Sequence, residues 1–200
     1  MTRTLVLATH NAHKLEELAA ILGPALTGFE LVATDGPDPV EDGATFAENA
    51  LIKARAAVAH TGLPALADDS GIAVDALGGA PGIHSKRYAG TGSDQDNIDL
   101  LLRELEGAPD RTARFVCAAA FVDPDGTEIV EVAEFGGEVL LAPVGAGGFG
   151  YDPVFRPAGF ERSLAELSAD EKNAISHRAM AFRALMPAVA AWSSGSAGTS

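Results

Sequence analysis

The 200-residue chain is 47% apolar and 21% charged, the composition of a globular protein with a core of its own. Its 28 Asp and Glu outnumber 14 Lys and Arg, and the resulting net charge of −14 opposes non-specific binding to nucleic acid or to an anionic membrane. No apolar run approaches the roughly 20 residues of a membrane helix, the N-terminus carries no signal-peptide core, and the single cysteine, Cys117, excludes an internal disulfide and fits a reducing cytoplasm.

Thr4 to Ala8 reads as a buried strand, followed by the polar run Thr9-His10-Asn11-Ala12-His13-Lys14. Leu15, Leu18, Ala19 and Leu22 then fall at helical spacing, with Gly23 as a stop signal. The free N–H groups of a helix start suit phosphate, and Lys14 adds a point charge. The same residues equally suit plain N-capping by Thr9 or Asn11 beside a solvated lysine, and the P-loop pattern is absent. Phe29 to Ala33 is a second strand, and a loop rich in Pro, Gly and acids follows it to Gly43. Glu41 on that loop is either a metal ligand or a solvated acid. Thr45-Phe46-Ala47-Glu48 is a capping box that opens a helix running to about His60. Asn49 and Lys53 share one face of it, and Lys53 stands among alanines and Ile52, where a lysine either snorkels or has a task.

Ala67-Asp68-Asp69-Ser70-Gly71 reads as a turn between the apolar run Leu63 to Ala67 and a brief strand, Ile72 to Asp75. Adjacent aspartates repel unless a cation or proton settles them. A hard divalent cation such as Mg²⁺ suits such oxygens, and a solvated Asp-Ser turn is the competing reading. Gly78-Gly79-Ala80-Pro81-Gly82 is a sharp loop, and Ser93 caps a helix whose stripe is Ile98, Leu101, Leu102 and Leu105. Thr112 to Val122 is apolar on both faces, as a central strand is, and Pro124-Asp125-Gly126 turns it into Glu128 to Phe135. Gly145 to Pro153 formally matches G-x-G-x-x-G but leads into Tyr151-Asp152-Pro153 rather than a helix, which rules out the dinucleotide fingerprint. Such a loop either packs tightly for structure or lets backbone approach a nucleotide, with Phe149 or Tyr151 stacking on the base. A further capping box, Ser168-Ala169-Asp170-Glu171, precedes Lys172, His177 and Arg178 near a last helix through Ala179, Phe182, Leu185 and Met186. Residues 1–192 read as one domain, and the low-complexity residues 193–200 as a flexible tail.

Six blocks in order resemble one family, the inosine/xanthosine triphosphate pyrophosphatases or Ham1-like nucleotide hydrolases. They are Thr9-x-Asn11-x-x-Lys14, the Thr45 to Ala54 segment with Glu48, Asn49 and Lys53, Ala67 to Gly71, Gly78 to Gly82, Gly148 to Pro153, and Ser176-His177-Arg178. His10 and His13 depart from the pattern, standing where small residues are common. The resemblance implies an α/β fold, an elongated mixed β-sheet flanked by helices, in two lobes with the active site in the cleft between them. It implies a homodimer that uses Mg²⁺ to split deaminated purine nucleoside triphosphates (ITP, dITP, XTP) into monophosphate and pyrophosphate. By position, Asp69 is the implied general base and a metal ligand, with Glu41 the other ligand. Thr9, His10, Asn11, Ala12, His13, Lys14 and Lys53 would hold phosphates, supported by Ser70. Phe149, Gly150, Tyr151 and Asp152 would hold the nucleoside, while Lys172, His177 and Arg178 read the base. Donors facing a 6-keto oxygen reject adenine, whose amino group would leave them unpaired.

Overall fold

In the computed structural model, which describes residues 2–10 and 12–195, β1 (Arg3–Leu7) pairs in parallel with β2 (Phe29–Ala33), Leu5 lying opposite Leu31. It also pairs in parallel with β3 (Ala65–Val74), Val6 opposite Ala65. Parallel neighbours need crossovers; α1 (Ala12–Leu22) lies in the first and α2 (Phe46–Thr61) in the second. α3 (Asp94–Glu104) precedes β4 (Thr112–Val122), which is buried along most of its length. A tight turn leads into β5 (Glu128–Val139), which pairs antiparallel with β6 (Phe155–Pro157). In that turn the Asp123 carboxylate accepts the N–H groups of Asp125 and Thr127, both at 2.9 Å. The sheet order is β2-β1-β3-β4-β5-β6. This is the mixed α/β sheet with flanking helices that the resemblance implies. α4 (Ala169–Ile175) and α5 (His177–Gly195) complete the chain, and no helix among the described residues is long and apolar enough to cross a membrane.

The structure differs from the sequence expectation in four places. β3 is continuous through Asp68, Asp69 and Ser70, so the acidic pair lies within a strand and not in a turn. β5 runs on to Val139, four residues past Phe135. Glu48 closes its cap one residue further back than a capping box requires, accepting the Ala44 N–H at 2.6 Å while Thr45 Oγ1 accepts the Glu48 N–H at 3.1 Å. α5 takes in Ser193, Ser194 and Gly195, assigned from composition to a tail; the rest of that expected tail, residues 196–200, lies outside the described residues.

The chain divides into two compact units. The first comprises Met1–Asp69, Cys117–Ala133 and Arg178–Ser200. On one face of its strands Leu5, Leu7, Leu66 and Phe121 pack with Leu18, Ile21 and Leu22 of α1 and with Phe182, Leu185 and Val189 of α5. On the other face Ala67, Ala118 and Ala120 meet Ala50 and Ala54 of α2, small residues that let helix and sheet approach closely. The second unit, Ser70–Val116 and Glu134–His177, is built around Ile72, Ile98, Leu101, Leu105, Phe115, Phe155 and Leu164. Arg111 fastens it, its guanidinium donating to the carbonyls of Val139 (2.7 Å), Leu105 (2.9 Å) and Leu140 (2.8 Å).

Phe121 is fully buried and meets the Trp192 ring edge-on at 4.9 Å between centroids. Truncating it leaves a cavity beneath α5. Phe121→Ala is expected to lower unfolding free energy by about 3–5 kcal/mol, read as a shift of the urea midpoint with unchanged slope.

Candidate active site

Successive side chains on a strand leave opposite faces, so β3 sends Asp68 and Asp69 to different partners. The residues before them mark the faces: Leu66 lies in the core with α1 and α5, and Ala67 in the core with α2. Asp68 is buried, and its Oδ2 accepts from Arg178 Nε at 3.2 Å and Nη2 at 3.1 Å. Lys14 Nζ stands 3.3 Å from Oδ1, and the remaining arm of Arg178 donates to Glu17 Oε2 at 2.9 Å. Burial acts to raise the Asp68 carboxyl, but Lys14, Arg178 and Lys53 together hold it well below the usual carboxylate range. Cys117 is buried beside this network, and burial and the Asp68 charge push its thiol up.

Asp69 faces α2. Its Oδ1 accepts from Lys53 Nζ at 2.8 Å and its Oδ2 from Asn49 Nδ2 at 3.3 Å. Lys53 Nζ also lies 3.3 Å from Glu41 Oε2, so two carboxylates share one ammonium. Asn49 reaches the loop as well, accepting the Gly43 N–H at 2.9 Å. A Cβ on Gly43 would stand 2.6 Å from the Asn49 oxygen, so only glycine lets the loop come this close. Burial lifts the Asp69 carboxyl above its ordinary value despite Lys53, and the nearby Glu41 charge adds to the rise. For Lys53, burial is outweighed by Asp69, Asp68 and Glu41, which raise its affinity for the proton.

Among the described residues no group of three or more His, Cys, Asp or Glu is gathered to hold a metal ion. Glu41 and Asp69 nevertheless converge on a common cation, the Lys53 ammonium. Two hard carboxylate donors, with the remaining positions left for water and phosphate oxygens, is a donor set that Mg²⁺ takes. The residues present therefore fit that ion.

The glycine-rich loop is organised by a different carboxylate. Buried Asp152 accepts the Phe149 N–H at 2.9 Å and the Lys172 ammonium. Gly148, at φ +70°, passes so close that a Cβ would lie 2.1 Å from Asp152 Oδ2. The Lys172 ammonium lies 4.2 Å from the centre of the Phe149 ring, a cation–π contact. Gly150 N–H donates to Asp94 Oδ2 at 2.7 Å. Tyr151 is buried, with its hydroxyl donating to the Ser85 carbonyl at 2.9 Å, whereas Phe149 is 52% exposed. Of the two aromatic candidates, only Phe149 offers a face. His177 is buried and stacks on Phe115, centroids 4.7 Å apart.

The structure thus brings Glu41, Lys53 and Asp69 together, and Phe149, Asp152 and Lys172 together. Arg178 parts from Lys172 and His177: it belongs to the first unit, on Asp68. Half-buried Ser70 opens the second unit. Thr9 N–H donates to the Leu7 carbonyl at 2.8 Å, and the His10 ring contacts Asp38 and Gly36. Ala12 and His13 begin α1, while the expected capping and phosphate roles of Asn11 lie outside the described residues. Sequence reasoning gave no role to Asp68 or Glu17. Period-two alternation in a strand would have separated Asp68 from Asp69, and the i, i+3 spacing puts Glu17 on the face of Lys14.

The first unit thus sets carboxylates against buried cations, and the second carries a glycine-rich loop with an exposed aromatic. The chain belongs to the Ham1 family, whose model matches residues 5–188. It is 56% identical over 196 residues to a dITP/XTP pyrophosphatase of Streptomyces coelicolor, covering 94% of this chain and 98% of that one. Among solved structures it resembles a HAM1 protein from Coxiella burnetii (41% identity, TM-score 0.86, 94% and 99% of the two chains). It also resembles a nucleoside-triphosphatase, dITP/XTP pyrophosphatase, from Mycobacterium abscessus (45% identity, TM-score 0.76, 93% and 99%).

Arg178 is only 3% exposed, and removing it would strand the buried Asp68 charge with Lys14 as its nearest remaining partner. Arg178→Met is expected to cost about 3–5 kcal/mol of folding stability, measured by chemical denaturation. A loss below about 1 kcal/mol would mean that Lys14 alone satisfies Asp68.

Proposed function

We propose that this protein hydrolyses the non-canonical purine nucleoside triphosphates ITP, dITP and XTP to the nucleoside monophosphate and pyrophosphate. The observation that carries the reading is the convergence of Glu41 and Asp69 on the Lys53 ammonium, in a chain whose relatives at 50–56% identity are named dITP/XTP pyrophosphatases. Phosphoryl transfer depends mainly on positioning and charge neutralisation. Glu41 and Asp69 would hold Mg²⁺, which when bound neutralises phosphate charge and acidifies water. Asp69, its proton affinity raised by burial, takes the proton of the attacking water. The water oxygen bonds to the α-phosphorus, the bond from that phosphorus to the bridging oxygen breaks, and pyrophosphate leaves. Lys53 and Lys14 hold phosphate oxygens, with support from Thr9 and Ser70.

Phe149 stacks on the base, and Lys172 and His177 supply polar contacts to it, with the loop backbone at Gly150 and the Asp152 carboxylate setting their places. Arg178, engaged by Asp68 and Glu17, is read as holding Asp68 and, through it, the Lys14 ammonium. We read the protein as a Mg²⁺-dependent, cytoplasmic homodimer with no nucleic-acid or membrane partner, and its net charge of −14 supports the last point.

Asp69→Asn removes the base while keeping shape and is expected to lower kcat at least about 100-fold with folding intact. A variant keeping more than about a tenth of wild-type kcat would remove Asp69 from that role. In a pyrophosphate-release assay with ITP, dITP, XTP, GTP and ATP, the first three should exceed ATP in kcat/KM by about 100-fold or more. Chelating Mg²⁺ should silence all five, and equal rates for ITP and ATP would overturn the substrate class.

A further inference from the structure

The loop that delivers Glu41 is pinned by two histidines that no part of the reaction uses. His10 Nδ1 stands 2.9 Å from Asp38 Oδ1, and its Nε2 stands 2.6 Å from the Gly36 carbonyl. On the other side of the loop His60 Nε2 stands 3.0 Å from Asp35 Oδ1. Gly36 lies against the His60 ring, where a Cβ would come within 2.8 Å of Cγ, and its N–H donates to Thr34 Oγ1 at 3.1 Å. Both groups facing His10 are acceptors. A neutral imidazole has one donor and one acceptor nitrogen, so only the imidazolium donates to the carboxylate and the carbonyl together, across a pair whose side chains are 44% and 87% exposed. Lys53, which lines the same recess, is drawn to Glu41 and Asp69 and puts no acceptor toward the ring. Glu41 follows Asp38 by three residues, and Pro37 and Pro39 fix the backbone on either side of Asp38. What holds Asp38 therefore limits where Glu41 can go.

We propose that His10 is a positioning residue: as an imidazolium it clips the Gly36–Asp38 loop to the turn after β1 and so presets Glu41 for the metal, a role that rests on the reading of Glu41 as a ligand. This replaces the phosphate contact implied for His10 by its place in the motif. The clip needs a double donor that carries charge, so arginine can replace histidine, while alanine cannot.

The test is calorimetric titration of Mg²⁺ into the nucleotide-free protein at about pH 6. His10→Ala should weaken Mg²⁺ affinity roughly fivefold, the scale of one charge-assisted hydrogen bond. His10→Arg should restore wild-type affinity. The ¹⁵N resonances of the wild-type ring should show both nitrogens protonated at about pH 6. Unchanged Mg²⁺ affinity in His10→Ala, or a rise in nucleotide KM with Mg²⁺ binding intact, overturns the clip and returns His10 to the phosphates. Glu41→Gln separates the two readings. If it keeps full Mg²⁺ affinity, the ligand assignment fails and the proposal falls with it; if it loses affinity while His10→Ala does not, only the clip fails.

Discussion

Two adjacent carboxylates on one buried strand are the constraint around which the first unit is arranged. Side by side in a turn they would compete for the same cation. On a strand the pleat sends them apart, and each acquires its own positive partners: Asp68 takes Arg178 and Lys14, and Asp69 takes Lys53. Removing either set would leave a charge in a low-dielectric interior, where its cost exceeds most of what a single contact returns. α1, α2 and α5 are thus tied to β3 by charge as well as by apolar packing.

The division also separates two electrostatic settings. Asp68 is held far below the ordinary carboxylate range and stays charged, which suits a structural anchor that orients cations. Asp69 is lifted by burial, which suits a group that accepts a proton. Two residues of one type, adjacent in sequence, have their proton affinities moved in opposite directions because one face of the strand carries two cations close by and the other carries one lysine shared with Glu41.

In the second unit another carboxylate, the buried Asp152, does comparable work. Asp152 gathers the Phe149 N–H and the Lys172 ammonium, and Gly148 leaves room for it. The loop therefore has a fixed aromatic face with a cation beneath it. Asp94, at the start of α3, pins the next peptide through the Gly150 N–H. Glycines make such a path possible, and carboxylates acting as acceptors choose one conformation from the many that glycine allows.

Local chemistry was legible from the sequence wherever it depended on neighbours in the chain. The helical stripes, the Thr45 and Ser168 caps, the doubly apolar run of β4 and the turn at Asp125-Gly126 each rest on contacts a few residues apart. The placement of Lys53 among alanines hinted at a task, because α2 offers the sheet a face of small residues with one cation in it. Tertiary structure decided what depended on distant partners. Whether Asp68 and Asp69 lie in a turn or a strand turned on cations up to 110 residues away, which no local pattern encodes. Arg178 follows His177 directly, yet it belongs with Asp68 because the chain passes from one unit to the other between them. The two ring contacts of His10 exist only because a loop 26 to 28 residues later returns to it. Sequence determines which groups can be charged, capped or bent; only the fold determines which charges meet, because electrostatic partnership depends on distance in space and on burial.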